Sequence, residues 1–117
     1  MVSLTTYIQG EIKVVLFTEI KGKEHSAKWS MPKEKGDSVI IQELKAIHLG
    51  LTHINRPVEL EIYTGHPWVV TALNEWMQQW QQDNWIKADK KPVKNKELWQ
   101  KIAEELSKHD YKAYLSG

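Results

Sequence analysis

The chain is expected to fold as an α/β domain, an α+β mixed sheet of five strands flanked by helices in the order βββαβααβ. Three observations carry that expectation. The first third is a succession of β-branched and aromatic runs broken by short glycine turns. Ile40, Leu44, Ile47, Leu51 and Ile54 then recur at steps of 4, 3, 4 and 3, which is one face of a helix. Beyond them strand-like and helix-like segments alternate, so a hairpin meander is followed by crossovers, and helices must cover the sheet.

The elements follow in order. Residues 2–9 hold Leu4, Thr5, Thr6, Tyr7 and Ile8 and end at Gly10, a first strand. Residues 12–20, with Val14, Val15, Leu16 and Phe17, form a second. Lys21-Gly22-Lys23 turns the chain back into a third over 24–31. A polar loop, 32–37, leads to a helix that begins at Ser38, carries the apolar stripe through Ile54 and stops at Asn55-Arg56-Pro57. Residues 58–63 alternate as a fourth strand. Thr64-Gly65-His66-Pro67 is a strand-to-helix corner, with Pro67 suited to a first helical turn and His66 to a structural cap. Val69, Ala72, Leu73, Trp76 and Trp80 mark the next helix. A last helix runs from Asn95 to about residue 108, and residues 110–115 form the closing strand.

Composition narrows the function classes. With 117 residues the chain fits one domain, 1–117. A net charge of +1 supplies no global field toward nucleic acid or membrane, so any such binding must come from a local patch. The absence of cysteine excludes disulfides and thiolate chemistry. No apolar run is long enough to span a membrane and the first residues lack a secretory pattern, so the expectation is a cytoplasmic protein.

One stretch departs from this even picture. Residues 84–102 hold Lys87, Lys90, Lys91, Lys94, Lys96 and Lys101 between Trp85 and Trp99. Pro92 breaks any continuous helix, and Asn95 is placed to cap a new one. Cations interleaved with tryptophan suit a nucleic-acid backbone, while a solvated lysine loop accounts for the same letters. Trp76, Trp80 and Trp85 are either stacking platforms or the core that props this arm.

The segment Ala88-Asp89-Lys90-Lys91-Pro92-Val93-Lys94-Asn95, followed by Glu97-Leu98-Trp99-Gln100, resembles the basic protrusion and following helix of bacterial type 1 ribonuclease H. Gln42-Glu43-Leu44-Lys45-Ala46 resembles that family's metal-site helix, and Tyr63-Thr64-Gly65-His66-Pro67 resembles its T-D-S corner. The resemblance implies a ribonuclease H-like fold. The family cuts the RNA strand of an RNA/DNA hybrid with two Mg²⁺ ions held by four carboxylates. Of these, Glu43 is retained as a relic. The resemblance sets Gln9 and Gly65 at positions that are usually aspartate, and the chain stops at Gly117, before the family's C-terminal helix and its last acid. No metal is expected, or Glu43 alone if any. On the nucleic-acid side the resemblance assigns Ser38 and Asn95 to one phosphate. Val39 and Ile40 stand where two asparagines usually read the hybrid's minor groove.

The resulting expectation is a degenerate, catalytically inactive domain that binds RNA/DNA hybrid or duplex. The contacts would come from Ser38, Trp76, Trp80, Trp85, Lys87, Lys90, Lys91, Lys94, Asn95 and Lys96. The alternatives are a Mg²⁺-dependent hybrid ribonuclease completed by a partner chain, and an assembly module that binds a protein partner or itself through the exposed sheet edge and the tryptophan-rich helix.

Overall fold

A computed structural model describes residues 1–116 of the chain. Strands β1 (Val2–Gln9), β2 (Glu11–Ile20) and β3 (Lys23–Met31) form the antiparallel meander. Helix α1 (Val39–Leu51) follows, then β4 (Glu59–Thr64). Next come α2 (Pro67–Thr71), a π-helical turn (Ala72–Trp76) and α3 (Met77–Gln82), continuous along one axis. Helix α4 (Lys96–Leu106) and β5 (Asp110–Leu115) close the described chain. The sheet order is β3-β2-β1-β4-β5, with β4 parallel to both β1 and β5. This is the five-stranded mixed sheet anticipated from the sequence.

Period-2 alternation decides which face of the sheet is dry. Leu4, Ile12, Val14, Leu60, Ile62 and Ala113 point one way and meet Leu44, Ile47, Leu51, Leu73, Met77, Trp99, Ile102 and Leu106 from the helices. Gly50 lets α1 approach the sheet closely. A Cβ there would lie 2.7 Å from Leu4 Cδ1 and 2.9 Å from Val14 Cγ2, so alanine would overpack the core. On the other side, Asn74 from the π turn reaches Ala113 of β5. Its amide donates to the Ala113 carbonyl (3.0 Å) and its carbonyl accepts from the Ala113 N–H (2.9 Å).

Several details differ from expectation: β4 runs over Glu59–Thr64 and not 58–63, and α4 ends at Leu106, short of residue 108. Helix α1 ends at Leu51 with Thr52 as its cap, so Ile54 lies beyond the helix, although it still packs against the core. The π turn is also unannounced, because Trp76 and Trp80 keep an ordinary four-residue spacing. No helix among the described residues is long and apolar enough to cross a membrane.

His109 ties β4 to the end of α4. Its Nδ1 accepts from the Val58 N–H (3.2 Å), and its buried Nε2 has no partner among the described residues. Burial pushes the imidazole below its ordinary pKa; Glu105 opposes this and Lys108 reinforces it. Burial also lowers His48, with Lys101 reinforcing and Glu105 opposing. A lowered folded-state pKa means that the unfolded chain takes up protons first, near pH ~6.5. Stability from both groups is therefore complete above that pH and is lost as pH falls. Thermal unfolding should show the midpoint dropping from about pH 6.5 to 5. His109→Asn, which keeps an acceptor for Val58, should flatten part of that acid limb and leave the part due to His48.

Candidate functional site

Two groups of residues emerge, one around a buried carboxylate and one around the lysine arm. The carboxylate is Glu43, carried by the sheet-facing side of α1 and 5% exposed. The Thr6 hydroxyl donates to its Oε2 at 2.5 Å, and the Thr64 hydroxyl donates to the same oxygen at 2.8 Å. The parallel register of β1 with β4 explains the convergence. Thr5 pairs with Tyr63, so the next residues, Thr6 and Thr64, stand side by side under the helix. A carboxylate taken out of water needs such charge-assisted donors.

Gly65 follows Thr64 at the end of β4. A Cβ there would sit 3.4 Å from Glu43 Oε1, so Gly65 does face the carboxylate as the resemblance implied. Gln9 does not. It lies at the β1–β2 hairpin opposite Glu11, exposed, and about 10 Å along the strand from Thr6. Alternation also turns it to the opposite face from Thr6. Continuing the β1–β4 register sets Tyr7, not Gln9, alongside Gly65. Gly10 serves the hairpin turn, with φ of 73°, and is no marker of the site. Thr6 and Thr64 are the residues that sequence reasoning missed. Their only signal is that each is a hydroxyl residue at an inward position of its strand.

His66 caps α2, its Nδ1 accepting from the Trp68 N–H at 3.2 Å, as its place in the corner suggested. Among the described residues no three His, Cys, Asp or Glu side chains converge in a way that would hold a metal. The donor set at Glu43, one carboxylate and two hydroxyls, does not fit a two-ion clamp, which needs several carboxylates to offset the repulsion between the ions.

The lysine arm is a shaped loop. Trp85 and Val93 are buried at its base, and the Val93 N–H donates to the Trp85 carbonyl at 2.9 Å. An isolated bridge joins Ile86 to Pro92, and Lys87 N–H donates to the Lys91 carbonyl at 2.8 Å. Asn84, Trp85, Lys90 and Asn95 all have positive φ, a left-handed conformation that asparagine enters readily but that Trp85 and Lys90 adopt only when their surroundings hold them there. Lys87, Lys90, Lys91 and Lys94 are exposed, and Lys96 is half-buried at the start of α4. Lys87 meets Asp89 at 3.9 Å; Lys90, Lys91 and Lys94 make no ion pair among the described residues. Asn95 occupies the N-cap position of α4 with φ of 62°, and its side chain makes no capping bond. That corrects the expected capping role, since a left-handed residue turns its side chain away from the first helical N–H groups.

Trp76, Trp80 and Trp85 join Trp68 and Trp99 in one cluster. Trp80 is the hub, with its ring centre 5.3 Å from Trp99, 6.3 Å from Trp76 and 6.4 Å from Trp85. Trp99 and Trp85 are buried, and only Trp68 and Trp76 expose more than a third of their surface. The cluster is thus mainly the prop that holds the arm. Ser38 stands apart from it as the N-cap of α1, its Oγ accepting from the Ile41 N–H at 3.2 Å. Just before it, Asp37 pairs with Lys45 at 2.8 Å, and this hydrogen bond holds the Asp37 carboxyl below its usual range.

Comparison with known proteins agrees with this geometry. The RNase H family profile matches residues 4–114. The chain is 42% identical over 73 residues to Ribonuclease H of Clostridium botulinum (strain Hall), covering 62% of this chain and 49% of that protein. It is 40% identical over 68 residues to Ribonuclease H of Thermoanaerobacter sp. (strain X514), covering 57% and 44%. The chain therefore spans about half the length of the curated relatives it matches. Among solved structures, LC9-RNase H1, described as a type 1 RNase H with the type 2 active-site motif, superimposes with a TM-score of 0.72 at 14% identity, over 98% of this chain and 62% of that one. The PFV RNase H domain gives 0.71 at 19% identity, over 98% and 76%. The foamy viral protease-reverse transcriptase in complex with RNA/DNA hybrid gives 0.76 at 17% identity, over 98% and 17%. With a family profile matched along nearly its whole length and a sheet of the same architecture, the chain belongs to the ribonuclease H family.

Proposed function

We propose that this domain binds RNA/DNA hybrid or duplex nucleic acid through the arm at residues 84–96 and does not cleave it. The observation that carries the proposal is the state of Glu43. It is a lone acid whose Oε2 accepts from two threonine hydroxyls, with Gly65 beside it. A clamp that acts as a unit loses most of its rate when one central ligand is gone. The arm by contrast presents exposed ammonium groups, those of Lys90, Lys91 and Lys94 without an ion pair among the described residues, on a loop that is already shaped, so little ordering is needed on binding. The net charge of +1 makes this arm the local source of attraction. Lys87, Lys90, Lys91, Lys94 and Lys96 would lie along phosphates, with Asn95 and Ser38 contributing polar contacts and Trp76 offering its exposed edge.

The test is a hybrid-cleavage assay with Mg²⁺ and Mn²⁺ beside binding measurements on hybrid, duplex and single strands. No cleavage above background and micromolar or weaker binding are expected at physiological salt. Robust Mg²⁺-dependent cutting would overturn the proposal. The change Gly65→Asp supplies the sharper control. Gly65 has no left-handed φ, so aspartate meets no backbone penalty there, and its carboxylate would crowd Glu43. That variant should be less stable than the parent without metal and should regain stability on adding Mg²⁺. The parent should show no such metal-dependent gain.

A second reading draws on the names of the relatives. Since they are called Ribonuclease H and this chain spans about half their length, the second reading is a hybrid ribonuclease whose missing acids come from another chain. In that case Mg²⁺ would be required, and activity would appear only on mixing with the partner.

A further inference from the structure

The face of the sheet turned away from the helices carries a second constellation that the arm does not use. By register Tyr7 lies opposite Lys13, and Lys13 lies opposite Ser30. One step along, Val15 lies opposite Lys28. These residues and Gln9 line a shallow surface depression, joined at its edge by Trp29. Their polar ends are a phenol, two ammonium groups, a serine hydroxyl and a carboxamide, every one able to donate a hydrogen bond. No carboxylate lines the depression. Lys13 and Lys28 are exposed and neither forms an ion pair among the described residues. Glu11, opposite Gln9 at the hairpin, is the nearest acid in register and stands outside the lining.

Cations on diagonal positions of neighbouring strands, as Lys13 and Lys28 are, normally have acids interspersed between them. Here two cations share a concave surface with three neutral donors and no lining acid, Glu11 standing only at its hairpin end, and this balance favours an oxyanion. We propose that this depression is a site for a phosphate group, held by Lys13 and Lys28 and oriented by Tyr7 and Ser30. It is separate from the lysine arm, because the arm packs on the helical side through Trp85 and Val93. The phosphate can be free or part of a nucleic-acid strand. The strand form has a natural continuation, since the register runs from Val15 through Thr5 to Tyr63 and Tyr114. Those two tyrosines stack at 5.4 Å, and Lys112 lies over the second ring at 5.6 Å, a surface on which a base could stack.

Amide NMR titrations test this, with inorganic phosphate in one arm and a short oligothymidylate lacking terminal phosphates in the other, at constant ionic strength. Saturable shifts confined to Tyr7, Lys13, Lys28, Ser30 and their neighbours are expected with inorganic phosphate. The pair Lys13→Ala with Lys28→Ala should weaken that binding about tenfold or more, the loss of some 1.4 kcal/mol. Lys13→Arg with Lys28→Arg should retain it, which separates charge from any folding defect. If the oligothymidylate moves the same amides and also those of Tyr63 and Tyr114, the site takes strand phosphates. If only inorganic phosphate saturates, it takes the free anion. Shifts that stay linear, or that survive in the alanine pair, overturn the site. So does loss of these shifts on changing Lys90, Lys91 and Lys94 to alanine, since the two surfaces would then be one.

Discussion

Changing Lys90, Lys91 and Lys94 together to alanine should flatten the log–log salt dependence of hybrid binding by about 2.7, if each lysine neutralises one phosphate. The parent, contacting about three to five phosphates, should have a slope near −3 to −4.5. Between about 50 and 200 mM salt its affinity should therefore fall by roughly two orders of magnitude, whereas the variant should change far less. All three side chains are exposed and unpaired among the described residues, so their removal touches no core contact and the fold should be unaffected. Fluorescence anisotropy across a salt series would measure both slopes. A variant that binds like the parent would make the arm a solvated loop and move the assembly role ahead.

The second large effect lies beneath the arm. Trp99→Ala should destabilise the domain by about 3–5 kcal/mol, the cost of a large cavity in a closed core. Trp99 is fully buried and touches both Trp80 and Trp68. Its indole N–H has no partner among the described residues, so its burial already costs free energy. Trp99→Phe removes that N–H along with part of the ring and should cost much less than alanine. Urea unfolding followed by circular dichroism would separate the two. A loss below about 1 kcal/mol for the alanine variant would show that the cluster is not the arm's support.

How much of this was legible in the sequence depends on how local each feature is. Strand β5 and strand β1 match residue for residue, because alternation and flanking breakers act within a few positions. The α1 stripe was clear, yet Ile54 continued its period beyond the helix, since a residue can reach the core from a loop. The Glu43 centre was half legible. Gly65 was found because the corner around it is a contiguous motif. Thr6 was not, because its role depends on the pairing of two strands remote in sequence, which no local pattern encodes. A comparison anchored on Gly10 lands on the hairpin turn and so selects Gln9. The left-handed Asn95 was hidden for a similar reason: asparagine suits both an N-cap and that conformation, and the arm around it decides.

The amide clasp between Asn74 and Ala113 has a consequence for how copies of this chain can meet. Strand β5 is the outer strand on one side, and a free outer strand is a template for aggregation. Asn74 fills the donor and acceptor of Ala113 in the way another strand would, so that rim is blunted at its middle. Strand β3, outermost on the opposite side, runs for nine residues with no such plug and is guarded only by the charges of Lys23, Glu24 and Lys28. An added strand would therefore meet an obstacle at the middle of β5 that the described part of β3 does not present.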